Sequence, residues 1–362
     1  MKCVKITGVK QLGVGEIDKP VSDGKRPVIK VESVGICGSD LHFWDDGQPV
    51  DLVMGHEFAG TVEDPGDRND LKKGDRVVCL SVAPCLECAA CKSGDTKSCT
   101  NKGKSPGIFR PENVGAYAEY FMPEKGEYLY KLPDTMSFDE ATMVEPVAVT
   151  YHCFMKTDMK PGDNVLVTGG GLIGAMTMQW CKIKGAGKVY FTEPNAARAQ
   201  KVLDMGYADV WLNGDAAFVE LMQQYEAAPH YLQKYMLGMQ MLATTGVPVG
   251  FDVIVEASAH HSALNLTAGL IRSDHTIVWE GARLHPFDFQ SPVVLLRNAV
   301  IKGFLGFQVS DYEAAFKAVA DGSFPVKQYQ TGTNNLAGAQ KAFEDLSAPG
   351  NNHFKIVMHP HE

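Results

Sequence analysis

Features that mark several other protein classes are scarce or missing in this sequence. No stretch approaches the ~18 to 20 apolar residues that a membrane-spanning helix needs. The segment Met1–Ile6 has the pattern of a short amphipathic strand and not of a signal peptide. Runs of Lys and Arg are absent and the formal net charge is −9, which argues against nucleic acid and anionic membranes as partners. We therefore expect a cytoplasmic protein with a small-molecule partner, no nucleic-acid partner and no membrane partner.

The cysteines do not indicate a disulfide scaffold. There are nine of them, an odd number, and four fall within the fifteen residues Cys85–Cys99. A secreted disulfide framework normally has an even number of cysteines in a short chain. In a reducing compartment, thiols clustered in this way are more often metal ligands.

What the sequence does contain predicts two domains, because 362 residues are too many for one comfortable hydrophobic core. In the first part of the chain, short strand-like runs are separated by turn signals, which predicts an antiparallel, barrel-like β domain. From Asn164 onward, apolar runs alternate with helical segments, which predicts a parallel sheet and an α/β fold class. Strands are expected at 27–34, 58–62, 76–80, 165–167, 188–192, 251–256, 275–279, 299–303 and 355–358, and helices at 172–184, 311–321 and 337–345.

One segment, 217–246, is longer than a strand–helix unit needs and carries Met, Gln and Tyr at helical spacing. No functional role follows from this pattern. We expect a helix that lies in the core or contacts another subunit.

The strongest local signal is the spacing Cys85-x-x-Cys88-x-x-Cys91-x7-Cys99. Four thiolates at these distances on a loop poor in apolar residues can close a tetrahedral shell around one zinc ion. An iron–sulfur cluster is the other four-thiolate option, and the tight spacing favours zinc. A closed shell leaves no position for a substrate, so this site is expected to be structural.

A second, more dispersed set of metal-ligating side chains suggests an open metal site. It consists of Cys37 in the segment GICGSDLH, His56 and Glu57 in GHEFAG, and Glu145 in an otherwise apolar run. Taken alone, Cys37 and His56 are more often ordinary core residues. Together, one thiolate, one imidazole and carboxylate or water oxygens would leave a coordination position for a substrate oxygen.

A glycine-rich turn follows the strand predicted at 165–167 and precedes a helix. Its G-x-G-x-x-G pattern is formed by Gly169, Gly171, Leu172, Ile173 and Gly174. In this context the pattern predicts a dinucleotide site, with the pyrophosphate at the helix N-terminus. Glu193 lies nineteen residues past Gly174, where an acid binds the ribose hydroxyls and disfavours a 2′-phosphate. NAD is therefore expected over NADP, with Arg198 near the adenine.

In combination, these motifs closely resemble the zinc-containing medium-chain alcohol dehydrogenases, and among them the sorbitol (polyol) and threonine dehydrogenase branch. The resemblance implies a GroES-like, partly barrel-shaped catalytic domain from residues 1–153 and 298–362. An NAD-binding Rossmann domain from 154–297 is implied between them. It also implies an oxidoreductase with one catalytic and one structural zinc ion, assembled as a homodimer or homotetramer.

The same resemblance implies roles for individual residues. Cys37 and His56 resemble ligands of the catalytic zinc, and Glu57 either ligates it or stands just behind it. Glu145 occupies the position of a third cysteine in simple alcohol dehydrogenases, as a ligand or through water. Ser39 and His42 resemble the proton relay, and the nicotinamide ring is expected against Val149, Phe304 and Leu305.

Two departures from sorbitol dehydrogenases bear on the substrate. Gly306 stands where those enzymes carry an arginine, and Phe43 stands where they carry a tyrosine. A site built for hydroxyl groups needs polar partners for them, so sorbitol itself is not predicted, and Trp44 and Phe109 are expected to provide an apolar wall. A secondary alcohol of the polyol or sugar class is the first expectation; threonine, a simple alcohol and a non-catalytic nucleotide-binding role are the alternatives.

Overall fold

A computed structural model describes residues 1–82, 84–103, 105–108, 111–125, 128–282, 289 and 291–362. The chain forms two compact units. The first contains Met1–Ala148 and Phe307–Glu362, and the second contains Val149–Gly306. Among the described residues, no helix is long and apolar enough to cross a membrane.

The first unit is built mainly from strands. Its elements are β1 (Lys2–Gly8), β2 (Gln11–Glu16), β3 (Val28–Gly35), α1 (Gly38–Asp46), β4 (Glu57–Asp64), β5 (Arg76–Cys79), α2 (Ala89–Lys92), β6 (Tyr120–Phe121), β7 (Leu129–Lys131), α3 (Phe138–Thr142), α11 (Val309–Ala320), β14 (Gln330–Asn335), α12 (Ala339–Ser347) and β15 (Lys355–His359). The main sheet has the order β14-β15-β3-β4-β5-β7, and β6 also pairs with β3. Helix α4 (Val144–Phe154) runs across the change from the first unit to the second.

The strand register of this sheet brings distant parts of the sequence together. Gly35 at the end of β3 pairs with Glu57 at the start of β4. On its other side, β3 pairs with β15, with Gly35 opposite Val357. The side chains that follow Gly35 therefore lie beside Glu57 and the first residues of β15.

The second unit is a parallel sheet with helices between its strands. It contains β8 (Asn164–Thr168), α5 (Leu172–Ile183), β9 (Lys188–Thr192), α6 (Ala196–Asp204), β10 (Val210–Trp211), α7 (Ala216–Ala227), α8 (Tyr231–Thr245), β11 (Phe251–Glu256), α9 (His261–Leu270), β12 (Ile271–Trp279), α10 (Ser291–Arg297) and β13 (Val300–Gly303). The strand order is β10-β9-β8-β11-β12-β13. This is the doubly wound order of a Rossmann sheet, in which ligands bind at the carboxyl ends of the strands. The predicted α/β fold class is confirmed.

The segment 217–246 forms most of the helix pair α7–α8. Phe218 and Tyr225 of α7 and Met241 and Leu242 of α8 belong to the hydrophobic core of the second unit. This segment therefore supplies core packing, one of the two roles expected for it.

The limits of the compact units differ from the domain limits predicted at 153/154 and 297/298. The second unit begins at Val149, inside α4, and ends at Gly306. The later limit shifts because β13 pairs in parallel with β12, which adds residues 300–303 to the Rossmann sheet.

Candidate active site

The four clustered cysteines converge on one loop of the first unit. The sulfur atoms of Cys85, Cys88, Cys91 and Cys99 all lie within 4.8 Å of one another, and those of Cys85 and Cys91 are 4.0 Å apart. Zn–S bonds of about 2.3 Å place the sulfurs of a tetrahedral site roughly 3.8 Å apart. The arrangement therefore fits one zinc ion, and none of the nine cysteines forms a disulfide.

Backbone N–H groups point at these sulfur atoms. The N–H of Cys85 donates to Cys99 Sγ at 3.2 Å, and the N–H of Cys88 donates to Cys85 Sγ at 3.3 Å. Backbone N–H groups lower the pKa of Cys88 to about 6, whereas burial and the neighbouring thiols raise the pKa of Cys91 to about 12. Four thiolates this close together repel one another. A bound cation would offset that repulsion, because it binds cysteine in the thiolate form.

Gln308, a residue that the sequence does not single out, holds this loop. Its Oε1 accepts hydrogen bonds from Thr96 Oγ1 at 2.8 Å and from the Lys97 N–H at 2.9 Å. Its Nε2 donates to Asp95 Oδ1 at 3.0 Å. Since Gln308 precedes α11, the loop is tied to the part of the first unit that comes late in the sequence.

Cys37, His56 and Glu57 form the second potential metal site. Their ligand atoms lie within 4.8 Å of one another, and His56 and Glu57 are buried. Cys37 directly precedes α1, and Glu57 begins β4. A thiolate, an imidazole and a carboxylate form a donor set that suits zinc. The three residues predicted as ligands from separate motifs are thus neighbours in space.

Asp40, which is not among the predicted site residues, contacts both Cys37 and His56 of this group. Its Oδ1 lies 3.6 Å from His56 Nδ1, and its Oδ2 accepts hydrogen bonds from the Cys37 N–H at 3.0 Å and Tyr117 Oη at 2.6 Å. Although burial opposes the charged form, Asp40 and Cys37 raise the pKa of His56 well above its usual value. A carboxylate behind an imidazole fixes the ring and makes its other nitrogen a better metal ligand. The spacing C-x-x-D at a helix start is a local signal that could have identified Asp40.

Lys355 forms a buried ion pair with Glu57 Oε2. Its Nζ also donates to the carbonyl oxygen of Ile36 at 2.9 Å. Burial lowers the pKa of Lys355, but the charges of Glu57 and Cys37 raise it by more. The pKa of Lys355 is therefore above its usual value. The sequence contains no local signal for this pair, because β15 reaches Glu57 only through sheet pairing.

Glu145 is not part of the group of three that lies within 4.8 Å. It sits near the start of α4, where its Oε1 accepts a hydrogen bond from Ser81 Oγ at 3.3 Å. Burial raises the pKa of Glu145 to about 7. The structure thus places Glu145 close enough to interact electrostatically with His56 and Glu57, but it does not group the Glu145 carboxylate with the other ligand atoms.

Ser39 and His42 lie on α1, one helical turn apart. Ser39 is half-buried and His42 is exposed. Residues three apart on a helix share a face. Ser39 and His42 therefore lie on one face of α1, with Ser39 nearer to Cys37 and His42 in contact with solvent.

The glycine turn in the second unit has the geometry expected of a dinucleotide site. Gly169 has φ 102°, which a non-glycine residue rarely adopts. A Cβ on Gly174 would lie 2.0 Å from the Gly169 carbonyl oxygen, whereas a Cβ on Gly171 would meet nothing within 4 Å. Leu172 and Ile173 begin α5 directly after this turn, and its N-terminus can receive an anion.

Glu193 directly follows β9, the strand next to β8 in the sheet, and its side chain is buried. Its Oε2 accepts a hydrogen bond from the Gly170 N–H at 3.1 Å and lies 3.5 Å from Arg198 Nη1. Its Oε1 accepts a hydrogen bond from the Asn195 N–H at 2.8 Å. Gly169, Gly171, Glu193 and Arg198 line one cavity of about 940 Å³.

The remaining predicted residues occupy varied surroundings. Val149 and Phe304 are half-buried, and the ring of Phe304 lies 5.2 Å from that of His152. Leu305 is 73% exposed, and a Cβ on Gly306 would meet nothing within 4 Å. Phe43 is half-buried. Trp44, expected to help provide an apolar wall, is buried, and its ring centroid lies 5.8 Å from that of Phe343; Phe109 lies outside the described residues.

Two family models match the chain. The alcohol dehydrogenase GroES-like domain matches residues 24–134, and the zinc-binding dehydrogenase model matches residues 173–321. Together they cover well over half of the sequence: the first lies in the first unit, and the second begins in the second unit and extends into residues 307–321 of the first. The chain belongs to the zinc-containing medium-chain alcohol dehydrogenase family.

Relatives of this dehydrogenase span nearly its full length. The probable D-xylulose reductase A of Aspergillus clavatus is 27% identical over 346 residues, covering 91% of this chain and 90% of its own. D-xylulose reductase A of Aspergillus niger is 27% identical over 342 residues, with the same coverage of 91% and 90%. An Escherichia coli oxidoreductase/dehydrogenase of unknown specificity is similar in structure, with TM-score 0.84, 26% identity and coverage of 100% of this chain and 99% of that chain.

Proposed function

We propose that this protein is a zinc-dependent oxidoreductase that transfers a hydride between a secondary alcohol of the polyol or sugar class and NAD. The observation that carries the proposal is the convergence of Cys37, His56 and Glu57, with ligand atoms within 4.8 Å, in a chain that also has a Rossmann cavity. The D-xylulose reductases among its relatives support a polyol or its ketose as the substrate class.

Each group of residues has a physical role in this reaction. Cys37, His56 and Glu57 would hold the catalytic zinc, with Asp40 fixing the His56 ring and Lys355 neutralising Glu57. When bound, zinc lowers the pKa of a substrate hydroxyl as a Lewis acid, and NAD accepts the hydride. The substrate hydroxyl proton would leave through a water or through Ser39, which would take it up while passing on its own hydroxyl proton, and the exposed His42 would release a proton to solvent. Glu145 would act beside the metal, as a ligand or through water.

The four-cysteine loop would hold a second zinc with a structural role. Its closed thiolate shell leaves no position for a substrate, and its hydrogen bonds to Gln308 connect it to the scaffold. Zinc would therefore order the loop without taking part in hydride transfer.

The cofactor is proposed to be NAD, not NADP. The buried Glu193 carboxylate lies beside the glycine turn, where it would accept hydrogen bonds from the ribose and repel a 2′-phosphate. Arg198 would lie near the adenine, and Val149, Phe304 and Leu305 would border the nicotinamide.

A cytoplasmic location and a homodimeric or homotetrameric assembly are also proposed. Nine cysteines without a disulfide fit a reducing compartment. Exposed apolar residues on α8, α10 and β13 support contact between copies; they include Leu232, Met236, Leu295, Leu296 and Val300. Helices α8 and α10 pack against each other, and exposed apolar side chains grouped on neighbouring elements often mark a protein–protein contact.

A substrate screen with the purified protein tests the function. Polyols, sugars, threonine and simple alcohols are offered with NAD or NADP, NAD(P)H formation is followed by absorbance, and zinc is counted by mass spectrometry. We expect turnover of at least one polyol or sugar and two zinc ions per chain. Turnover of threonine or simple alcohols alone would favour those substrates, and one zinc with no turnover would favour a non-catalytic relative.

A further inference from the structure

The cavity that holds Glu193 continues past the residues expected to bind ribose and pyrophosphate. One part of its wall is the turn after β11, with Ser258 and His260. Another part is the helix pair α7–α8, which contributes Met222, Tyr225, Glu226 and Lys234. The helix pair is therefore a wall of the cofactor cavity as well as a part of the core.

Lys234 of α8 fixes the end of α7 at this wall. Its Nζ donates to the carbonyl oxygens of Tyr225 at 2.5 Å and Glu226 at 3.1 Å. The last carbonyls of a helix have no partner within the helix, and a cation is favourable there. Tyr225 Oη also donates to the carbonyl oxygen of Asn265 in α9 at 2.9 Å. The last turn of α7 is thus held from both sides.

Glu226 lies at the rim of the cavity with an exposed carboxylate. Its side chain is 56% exposed, and its Oε1 lies 3.8 Å from Nε2 of His261, the first residue of α9. Apolar side chains of Met222 and Leu266 line the same cavity. An apolar wall edged by a hydrogen-bond acceptor suits a planar base that carries an amino group.

We propose that α7–α8 forms the adenine-binding wall of the cofactor cavity, with Glu226 accepting a hydrogen bond from the exocyclic amino group of the base. This inference rests on the proposed binding of NAD. The ribose is placed by Glu193 and the pyrophosphate by the glycine turn, so the base occupies the part of the cavity beyond Glu193. The excess length of the segment 217–246 then has a role in cofactor recognition.

The proposal predicts discrimination between adenine and hypoxanthine. Nicotinamide hypoxanthine dinucleotide has a carbonyl oxygen where NAD has the amino group. A carboxylate facing that oxygen loses a hydrogen bond and meets a second acceptor. The unaltered protein should therefore bind NAD about tenfold more tightly than the hypoxanthine dinucleotide.

Isothermal titration of the zinc-loaded full chain with each dinucleotide tests this directly. Glu226→Met removes the acceptor at similar size, and we expect the two Kd values to converge to within about twofold. The matched control is Glu220→Met, which changes an exposed carboxylate on the same helix outside the cavity lining. The control should keep the full discrimination.

The outcomes separate the inference from the proposed function. Equal binding of both dinucleotides by the unaltered protein, or full discrimination by Glu226→Met, would overturn the role of Glu226 while leaving NAD binding intact. If the unaltered protein binds neither dinucleotide, the proposed cofactor fails and the inference fails with it. Circular dichroism and the Tm of each variant check that folding is unchanged.

Discussion

Several buried charged side chains lie around the proposed catalytic zinc site. The role of Asp40 among them can be tested by a single substitution. It accepts hydrogen bonds from Cys37 and Tyr117 through one oxygen and faces His56 with the other. This arrangement would orient the imidazole as a metal ligand, while Asp40 itself is fully buried. Asp40 is therefore a positioning residue.

We expect Asp40→Asn to lower zinc affinity or turnover by about 10- to 100-fold, because the neutral amide no longer stabilises the imidazole as a ligand. Competition with a zinc chelator and the pH profile of kcat measure the effect. Asp45→Asn on the exposed face of the same helix is the control. Equal zinc affinity and an unchanged pH profile in the two variants would contradict the assignment.

Glu193 is the residue proposed to determine the choice between NAD and NADP. We expect Glu193→Ala to reduce the preference for NAD over NADP by about tenfold or more, because it removes both the ribose acceptor and the charge that repels a 2′-phosphate. The ratio of Kd values for NADH and NADPH, measured by fluorescence titration, checks this. A ratio equal to that of the unaltered protein would mean that another residue reads the ribose.

Among the structural elements, the two cysteine sites are expected to respond differently to mutation. Cys91→Ser should destabilise the protein, since the loop is poor in apolar residues and would depend on its metal for order. Cys37→Ser should abolish turnover with little change in Tm, because its site lies beside the ends of β3 and β4, which are paired through Gly35 and Glu57. Thermal unfolding, zinc content and kcat of both variants distinguish them. Turnover at the unaltered level in Cys37→Ser would refute the catalytic site.

Helix pair α7–α8 shows how one element can serve two purposes. Its buried side chains complete the core of the second unit, and four of its residues border the cofactor cavity: Met222, Tyr225, Glu226 and Lys234. Helical periodicity predicts which face of each helix is buried, but it cannot show that the end of α7 lines the same cavity as Glu193.

At the scale of the whole molecule, we expect Glu280 to make the stability depend on pH. Burial, with a further contribution from Glu256, raises the pKa of Glu280 from 4.5 to about 8. The folded state then binds the proton more tightly than the unfolded state, so the free energy of unfolding decreases as pH rises between these two values.

We therefore expect Glu280→Gln, which cannot ionise, to raise the Tm relative to the unaltered protein at about pH 8 and to change it little at about pH 5. Each kcal/mol gained corresponds to about 1–2 °C for a chain of this length. Calorimetry at both pH values gives the comparison, with the exposed Glu220→Gln as control. A Tm difference independent of pH would show that Glu280 does not carry this titration.

The proposed assembly depends on the exposed apolar patch of α8, α10 and β13. Charges at Met236 and Leu295 would face the partner copy, so Met236→Glu combined with Leu295→Glu should shift the oligomer toward monomer. Sedimentation velocity of the two proteins measures the change. An unaltered protein that sediments as a monomer, or a variant that keeps the assembly, would contradict the role of this patch.

Much of the chain could be predicted because its signals are local. Periodicity and turn residues identify the Rossmann strands, as Phe251–Glu256 and Lys188–Thr192 show. The glycine turn and the four-cysteine spacing are also local, since a tight turn or a closed metal shell needs its residues close in the sequence. The resemblance to a known family supplied the roles of Cys37, His56 and Glu57.

Other features were decided only by the tertiary structure, because they join residues far apart in the sequence. The pairing of β15 with β3 brings Lys355 to Glu57, and Gln308 reaches the cysteine loop from the start of α11. Neither contact follows from any spacing pattern. The sequence alone thus determined the family, the two zinc motifs and the cofactor turn. Sheet register and helix packing determined which buried charges support those motifs and which helices border the cofactor cavity.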